Sequence, residues 1–231
     1  MIISGRSTIA FVATLFFVTS PSAFQIETRS QWDGAYSILY IGNPLQATAT
    51  YGQTFKVTEI ATIKSWTFWL SNQSGSPQPE VRIDGYLAEW LDDRTSSNML
   101  YESIGRVVPI SPIGEFHALE FLFPTIRLDP ANTYIMFLNT SRYETARRPF
   151  ELAALGSTSD LYTGGAFWYQ ASNNLFSNVH SFPWTCADEG NGCRYGDSAF
   201  TAIFTPVPEL PSSALLLFGI SFILLTRRVG V

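Results

Sequence analysis

The sequence predicts an all-β protein: a single β-sandwich or barrel between two apolar ends. Three observations support this fold class. Aromatic residues make up 15% of the 231 residues, and they favour strands over helices. Short aromatic and β-branched runs alternate with Gly, Pro, Asn and Ser, and no run keeps helical spacing. Charged residues reach only 14%, below the roughly 25% of an ordinary soluble domain, because both ends are apolar and the middle is rich in aromatics.

The start of the chain has the pattern of a secretory signal peptide. Arg6 supplies one positive charge, residues 7–20 are mostly apolar, and Pro21, Ser22 and Ala23 follow. The apolar run is short for a membrane span, which needs about 20 residues. We therefore expect residues 1–23 to direct export. An N-terminal anchor that is left uncleaved is the alternative.

The middle of the chain, residues 24–205, is long enough to bury one substantial core. Alternation within Ile63–Leu70 puts Trp66 and Phe68 on one face of a strand and Trp69 on the other. Further strands are predicted at 81–90, 116–123, 133–139, 165–169 and 199–204. The weakest segment is 151–157, where two leucines and two alanines are compatible with a helical turn.

Two cysteines, Cys186 and Cys193, enclose a short loop. In an exported chain such a pair favours a disulfide, which would stabilise the fold by roughly 2–3 kcal/mol on a chain-entropy model. The alternative is a metal site completed by His117 and His180. Zinc ligands normally pair two to five residues apart, and neither histidine lies that close to the cysteines.

Calcium is the one cofactor that the loop residues suggest. Oxygen ligands of the kind that calcium prefers are present at Asp188, Glu189, Asn191 and Asp197. Their spacing matches no defined calcium loop, so solvated turn residues are the favoured interpretation. We expect no cofactor and no metal site.

The chain has no constellation typical of an enzyme. It lacks a nucleophile elbow, a His-Glu-x-x-His motif and a phosphate-binding glycine loop. Glycoside hydrolysis needs two carboxylates on one face, whereas the adjacent Asp92 and Asp93 would face opposite ways on a strand and are expected to form a turn with Arg94. A net charge of −5 and a pI near 5.0 give no basic footprint for nucleic acid. The sequence predicts a non-catalytic protein.

Three consecutive rings follow a glycine pair in the segment Tyr162–Tyr169. Because neighbouring strand residues face opposite ways, at least one of Phe167, Trp168 and Tyr169 should point away from the core. Trp168 and Tyr169, together with Trp184, are our candidates for stacking on a sugar. Core packing under the loop of residues 181–196 is the alternative, and it is favoured because Trp and Tyr bury so much apolar area.

The end of the chain, residues 206–231, has three parts. Pro206, Pro208 and Pro211 disfavour a regular helix or a central strand and predict an extended linker. Residues 210–226 form a run of 17 residues without a charge. This length is at the short limit for a helix that spans a membrane. Two arginines follow this run. Positive residues at the end of a membrane helix favour the cytoplasmic side, so this end of the chain is expected to stay inside the cell.

This tail resembles the PEP-CTERM sorting signal. Val207, Pro208 and Glu209 match its motif, Arg227 and Arg228 match its basic stop, and Leu210 stands where the family has a second proline. The resemblance implies recognition by exosortase, a membrane protease associated with exopolysaccharide-producing Gram-negative bacteria. It also implies anchoring in the inner membrane before processing, and then release to the cell surface or extracellular matrix. A C-terminal anchor that is never processed is the alternative.

The middle of the chain resembles a jelly-roll domain that is frequent in exported bacterial proteins and similar in layout to carbohydrate-binding modules. The motifs that carry this resemblance are Gly52–Phe55, Trp66–Leu70, Tyr86–Trp90, Leu100–Ser103 and Leu128–Tyr134. We therefore expect an exported, non-catalytic cell-surface or matrix protein associated with exopolysaccharide. A carbohydrate-binding module with exposed aromatics is the alternative, and an uncharacterised glycan hydrolase is the least favoured reading.

Overall fold

The computed structural model describes residues 22–32, 37–41, 49–72, 81–109, 112, 115–143, 152–157, 159–170, 176–186 and 196–208. Residues 22–207 form one compact unit. Apart from Pro208, the two ends of the chain lie outside the described residues, so the signal peptide and the C-terminal hydrophobic helix stay predictions. Within the described ranges, no helix is long and apolar enough to cross a membrane.

The described residues form thirteen strands and two short 3₁₀ helices, and they contain no α-helix. The strands are β1 Phe24–Glu27, β2 Ser37–Ile41, β3 Thr50–Phe55, β4 Ala61–Asn72, β5 Val81–Leu91, β6 Arg94–Val108, β7 His117–Leu128, β8 Tyr134–Asn139, β9 Leu152–Ser157, β10 Phe167–Gln170, β11 Thr185–Cys186, β12 Asp197–Ser198 and β13 Phe200–Pro206. The 3₁₀ helices are Arg29–Gln31 and Phe176–Asn178. The prediction of an all-β fold is confirmed for this part of the chain.

The strands form two antiparallel sheets. In the first sheet the order is β1-β13-β4-β9-β12, with β7 also paired to β4 and β2 paired to β9. In the second sheet the order is β11-β10-β3-β8-β5-β6. Both sheets contribute to one buried apolar cluster, as expected for a β-sandwich. The sandwich prediction is therefore confirmed at this level.

The core lies between the two sheets. The ring of Phe55 in the second sheet is 4.9 Å from that of Trp66 in the first, and Trp66 stacks on Phe200 with centroids 4.4 Å apart. Gly85 of β5 faces the ring of Phe121 of β7 so closely that a Cβ atom would not fit. Aromatic side chains on both inner faces therefore set how closely the sheets approach.

The alternation predicted for β4 is confirmed. Trp66 and Phe68 are buried in the core, and Trp69 is half-buried on the other side of the strand. The helical turn suggested within 151–157 is wrong, because this segment is strand β9. It pairs with β2 and with the end of β4, where Ala154 lies opposite Leu70. Such a long-range pairing outweighs the modest local preference of alanine and leucine for helix.

Candidate functional site

Strand β10 places its three consecutive rings on alternate faces of the second sheet. Phe167 is buried in the core, and Tyr169 packs on the same cluster, 6.1 Å from the ring of Tyr51. Trp168 is half-buried on the opposite face, 4.9 Å from the ring of Trp90. At least one of these rings therefore points away from the core, as expected.

A second apolar cluster covers the outer face of the second sheet, and we call it the outer cluster. Its buried members are Tyr86, Ala88, Trp90, Ile135, Phe137, Val179 and Trp184. Residues 176–186, here called the covering segment, supply two of them and lie over the others. Trp184 is only 4% exposed, and its Nε1 donates to Val179 O at 3.0 Å. The covering segment therefore buries Trp184, as in the core-packing alternative, and Trp184 shares no surface with Tyr169, which packs on the core cluster.

Polar side chains hold the covering segment in place. Nε2 of the buried Gln170 donates to two of its carbonyl oxygens, at 2.8 and 3.1 Å. Thr95 Oγ1 donates to Val179 O at 3.1 Å and lies 2.9 Å from His180 Nδ1. Trp184 N donates to Asp93 O at 2.7 Å. The outer cluster is thus closed by specific bonds as well as by apolar burial.

We expect Thr95→Val to lower the free energy of unfolding by about 1 kcal/mol, since it keeps the shape of a buried side chain and removes its hydroxyl. Urea denaturation of the variant would measure this. Ser97→Ala is the matched control, because Ser97 is an exposed hydroxyl on the same strand and its loss should change stability by less than about 0.5 kcal/mol. Equal stability of Thr95→Val and the wild type would contradict the anchoring role.

Most residues of the cysteine and metal predictions lie outside the described residues. The ones outside are Asp188, Glu189, Asn191 and Cys193. Cys186 is buried and lies opposite Trp168 in the register of β10 and β11. No cysteine in the described ranges is free, and the pairing of Cys186 with Cys193 stays a prediction. The described part of the chain contains no group of His, Cys, Asp or Glu that could hold a metal ion.

Asp197, the fourth residue of the calcium hypothesis, belongs to a buried hydrogen-bond network. One carboxylate oxygen accepts from Gln53 Nε2 at 2.8 Å, and the other accepts from the backbone N–H groups of Leu161 and Tyr162. Gln53 Oε1 in turn accepts from Ser198 N at 2.8 Å. Burial raises the pKa of Asp197 to about 6. Because three N–H donors already use its oxygens, Asp197 ties β3 to β12 and to the loop before β10, and it is not oriented as a calcium ligand.

The adjacent acids Asp92 and Asp93 form a turn, as expected from the sequence. They make the two-residue connection between β5 and β6, with Asp92 at φ 59° and an ion pair of 2.8 Å between Asp93 and Arg94. A buried carboxylate that the sequence analysis missed is Asp84. Its oxygens accept from Gly105 N, Arg142 Nε and Tyr143 Oη, which makes it an anchor for the chain after β8.

The outer face of the first sheet carries a different group of side chains, which we call the outer patch. Its members are Arg29, Trp32, Trp69 and Phe116, and all four are half-buried. The guanidinium carbon of Arg29 lies 4.9 Å from the ring centroid of Trp32 and 5.8 Å from that of Trp69. The edge of Phe116 packs against Trp32 at 6.0 Å. The patch therefore combines a cation with the faces of two indole rings.

A row of polar side chains borders the outer patch, and we call it the polar row. The register of four neighbouring strands places Glu27, Thr201, Thr67 and Glu120 side by side across β1, β13, β4 and β7. They face outward with Trp69, which lies two residues along β4 from Thr67. Sequence analysis placed Trp69 on the non-core face but did not recognise a site, because the other patch residues are distant in sequence.

The comparisons with known proteins leave the family open. No protein-family profile and no curated protein matches the chain. Among solved structures, the chain is similar to the cysteine protease and lectin-like domains of Cwp84, a surface layer associated protein of Clostridium difficile. That match has a TM-score of 0.43 and 10% identity, and it covers 70% of this chain and 33% of the other.

A second solved structure is a clostridial Cwp84 cysteine protease after propeptide cleavage. It gives a TM-score of 0.38 at 10% identity and covers 70% of this chain and 36% of that one. The chain thus spans about a third of each of these two solved chains.

Proposed function

We propose that the protein is an exported, non-catalytic component of the cell surface or extracellular matrix that associates with exopolysaccharide. A PEP-CTERM-like tail would deliver it, and an exosortase-like membrane protease would process it. The supporting observation is where the sandwich ends. Strand β13 stops at Pro206, and Val207 N makes the last described backbone bond, to Ile60 O at 2.9 Å.

This position of the last bond matters for processing. The sorting motif begins at Val207 and continues through Pro208 and Glu209. Cleavage after Glu209 would remove no described strand and no side chain of the core cluster. The body would therefore stay folded whether the tail is kept as an anchor or removed.

The same proposal includes a jelly-roll arrangement of the sandwich. Its support is that the chain crosses repeatedly from one sheet to the other. β3, β5, β8 and β10 lie in the second sheet, and β4, β7, β9 and β13 lie in the first. Between β3 and β10 only the β5–β6 hairpin keeps two consecutive strands in one sheet. This alternation is what a rolled-up pair of antiparallel layers produces.

Intact-mass analysis of the native protein would test the proposal. In a host with an exosortase we expect a mature C-terminus near Glu209, and in a host that lacks the protease we expect a chain ending at Val231. The double variant Pro208→Ala/Glu209→Ala should retain its tail. Glu120→Gln, a change far from the motif, is the control and should be processed normally. An intact Val231 in the wild-type protein from the exosortase host would contradict the processing step.

A further inference from the structure

We propose that the outer patch and the polar row together bind a neutral glycan. This inference deepens the proposed association with exopolysaccharide, because it names the surface that would make the contact and the class of polymer. The surface is the outer face of the first sheet, which the sequence analysis did not assign.

The rings of Trp32 and Trp69 offer electron-rich faces near the surface. Arg29 lies within 6 Å of both ring centroids, which is the position that a cation takes at the negative face of an indole. The C–H groups on one face of a sugar ring carry partial positive charge and also bury apolar area against an aromatic ring. A sugar would therefore stack on the parts of these half-buried rings that Arg29 does not cover, and the guanidinium beside them supplies several N–H donors for its hydroxyls.

The polar row supplies the remaining hydrogen bonds. Thr67 and Thr201 contribute hydroxyls, and Glu27 and Glu120 contribute carboxylates that accept from sugar hydroxyls. One carboxylate oxygen of Glu27 already accepts from Ser30 N at 2.9 Å, which fixes that side chain and leaves its second oxygen for a ligand. Neighbouring strands lie about 4.8 Å apart, so a polymer running across them would meet one polar group per strand.

The charge of this surface favours a neutral polymer. The outer patch and polar row together carry one guanidinium, from Arg29, and two carboxylates, from Glu27 and Glu120. The whole chain has a net charge of −5. No excess of positive charge is therefore present to attract a polyanion such as a uronate polymer.

The mixed character of the surface also distinguishes a glycan from a protein partner. Stable protein interfaces have a buried apolar centre with few charges. Here each ring is half-buried, and threonines and charged groups lie beside it. The strongly exposed apolar residues of the described chain are Leu91, Ile104, Val107, Leu122 and Phe182. None of them belongs to the outer patch, and only Leu122, two residues along β7 from Glu120, borders the polar row. A hydroxyl-rich polymer matches this mixture of ring faces and polar groups.

Affinity electrophoresis of the full-length protein in a sugar-free nonionic detergent would test the proposal. The gels would contain hydroxyethyl cellulose, dextran or galactomannan as neutral polymers, or polygalacturonate as the acidic one. We expect at least one neutral polymer to retard the wild type and polygalacturonate to have less effect. Trp69→Ala should weaken the retardation at least tenfold, and Thr67→Ala, which changes only a half-buried hydroxyl, should weaken it about threefold.

Phe182→Ala is the matched control, because Phe182 is an exposed ring on the covering segment over the opposite sheet, and its removal should leave the retardation unchanged. The proposal is overturned if no neutral polymer retards the wild type, if polygalacturonate retards it most, or if both Trp69→Ala and Thr67→Ala bind like the wild type. Thermal unfolding of each variant would separate loss of binding from loss of fold. The C-terminal mass does not depend on this result, so failure here leaves the processing proposal standing.

Discussion

Trp66→Ala should lower the free energy of unfolding by about 4 kcal/mol, the usual cost of removing a fully buried aromatic side chain. Trp66 has no exposed surface, and its ring contacts Phe55 and Phe68 and stacks on Phe200. Alanine would leave a cavity between the two sheets. Denaturation in urea, monitored by far-ultraviolet circular dichroism, would measure the change.

Two companion variants make this test specific. Trp69→Ala also removes a tryptophan side chain, three residues further along β4, but this one is half-buried on the outer face. The substitution should therefore lower the free energy of unfolding by only about 1 kcal/mol. Trp66→Phe should cost less than Trp66→Ala, because it keeps an aromatic ring and removes an Nε1 that has no hydrogen-bond partner among the described residues. Equal losses for Trp66→Ala and Trp69→Ala would contradict the assignment of the two faces of β4.

The buried Asp197 predicts a stability that depends on pH. Burial raises the pKa of this carboxyl from 3.8 to about 6 in the folded protein, so the folded state holds its proton more tightly than the unfolded state does. The free energy of unfolding therefore falls as the pH rises from about 3 to about 7, and for this group alone the whole change is about 3 kcal/mol.

The Asp197→Asn variant isolates this effect, because asparagine does not titrate. Asparagine also places an N–H₂ where a carboxylate oxygen accepts from Gln53 or from the N–H groups of Leu161 and Tyr162. That mismatch shifts stability by a constant amount at every pH. The stability difference between wild type and variant should therefore fall by about 2 kcal/mol between pH 4 and pH 7. A difference that stays constant over this range would show that Asp197 has an ordinary pKa in the folded protein.

Local pattern was enough to predict the fold class and several strands, because alternation identifies a strand wherever one of its faces is buried. Strand β5 was predicted at 81–90 and is observed at Val81–Leu91. Strand β9 was missed because Leu152–Ser157 is short and its partners in β2 and β4 lie far away along the chain. Local preference cannot report a pairing that the rest of the sheet imposes.

Core packing was the favoured alternative for Trp184, and strand β5 carries a further signal for it that was not used. In β5 almost every residue is apolar or buried, with Ile83 and Leu87 facing the core and Tyr86 and Trp90 facing the outer cluster. A strand that is apolar on both faces indicates that both are covered, and this predicts a segment lying over the second sheet. The outer patch had a weaker signal, since only Trp69 was assigned to the non-core face. Arg29, Trp32 and Phe116 come together with it through the register of distant strands.

The pairing of β13 on both of its sides has a mechanical consequence. β1 bonds one edge from Phe24 to Glu27, and β4 bonds the other edge down to Pro206. A pull applied to the chain beyond Val207 acts along β13, so it would have to slide two ladders of hydrogen bonds at once instead of peeling them apart one by one. Strands loaded in this direction resist extension well. If the chain is held through its C-terminal tail, as we propose, the body would resist a pull on that attachment.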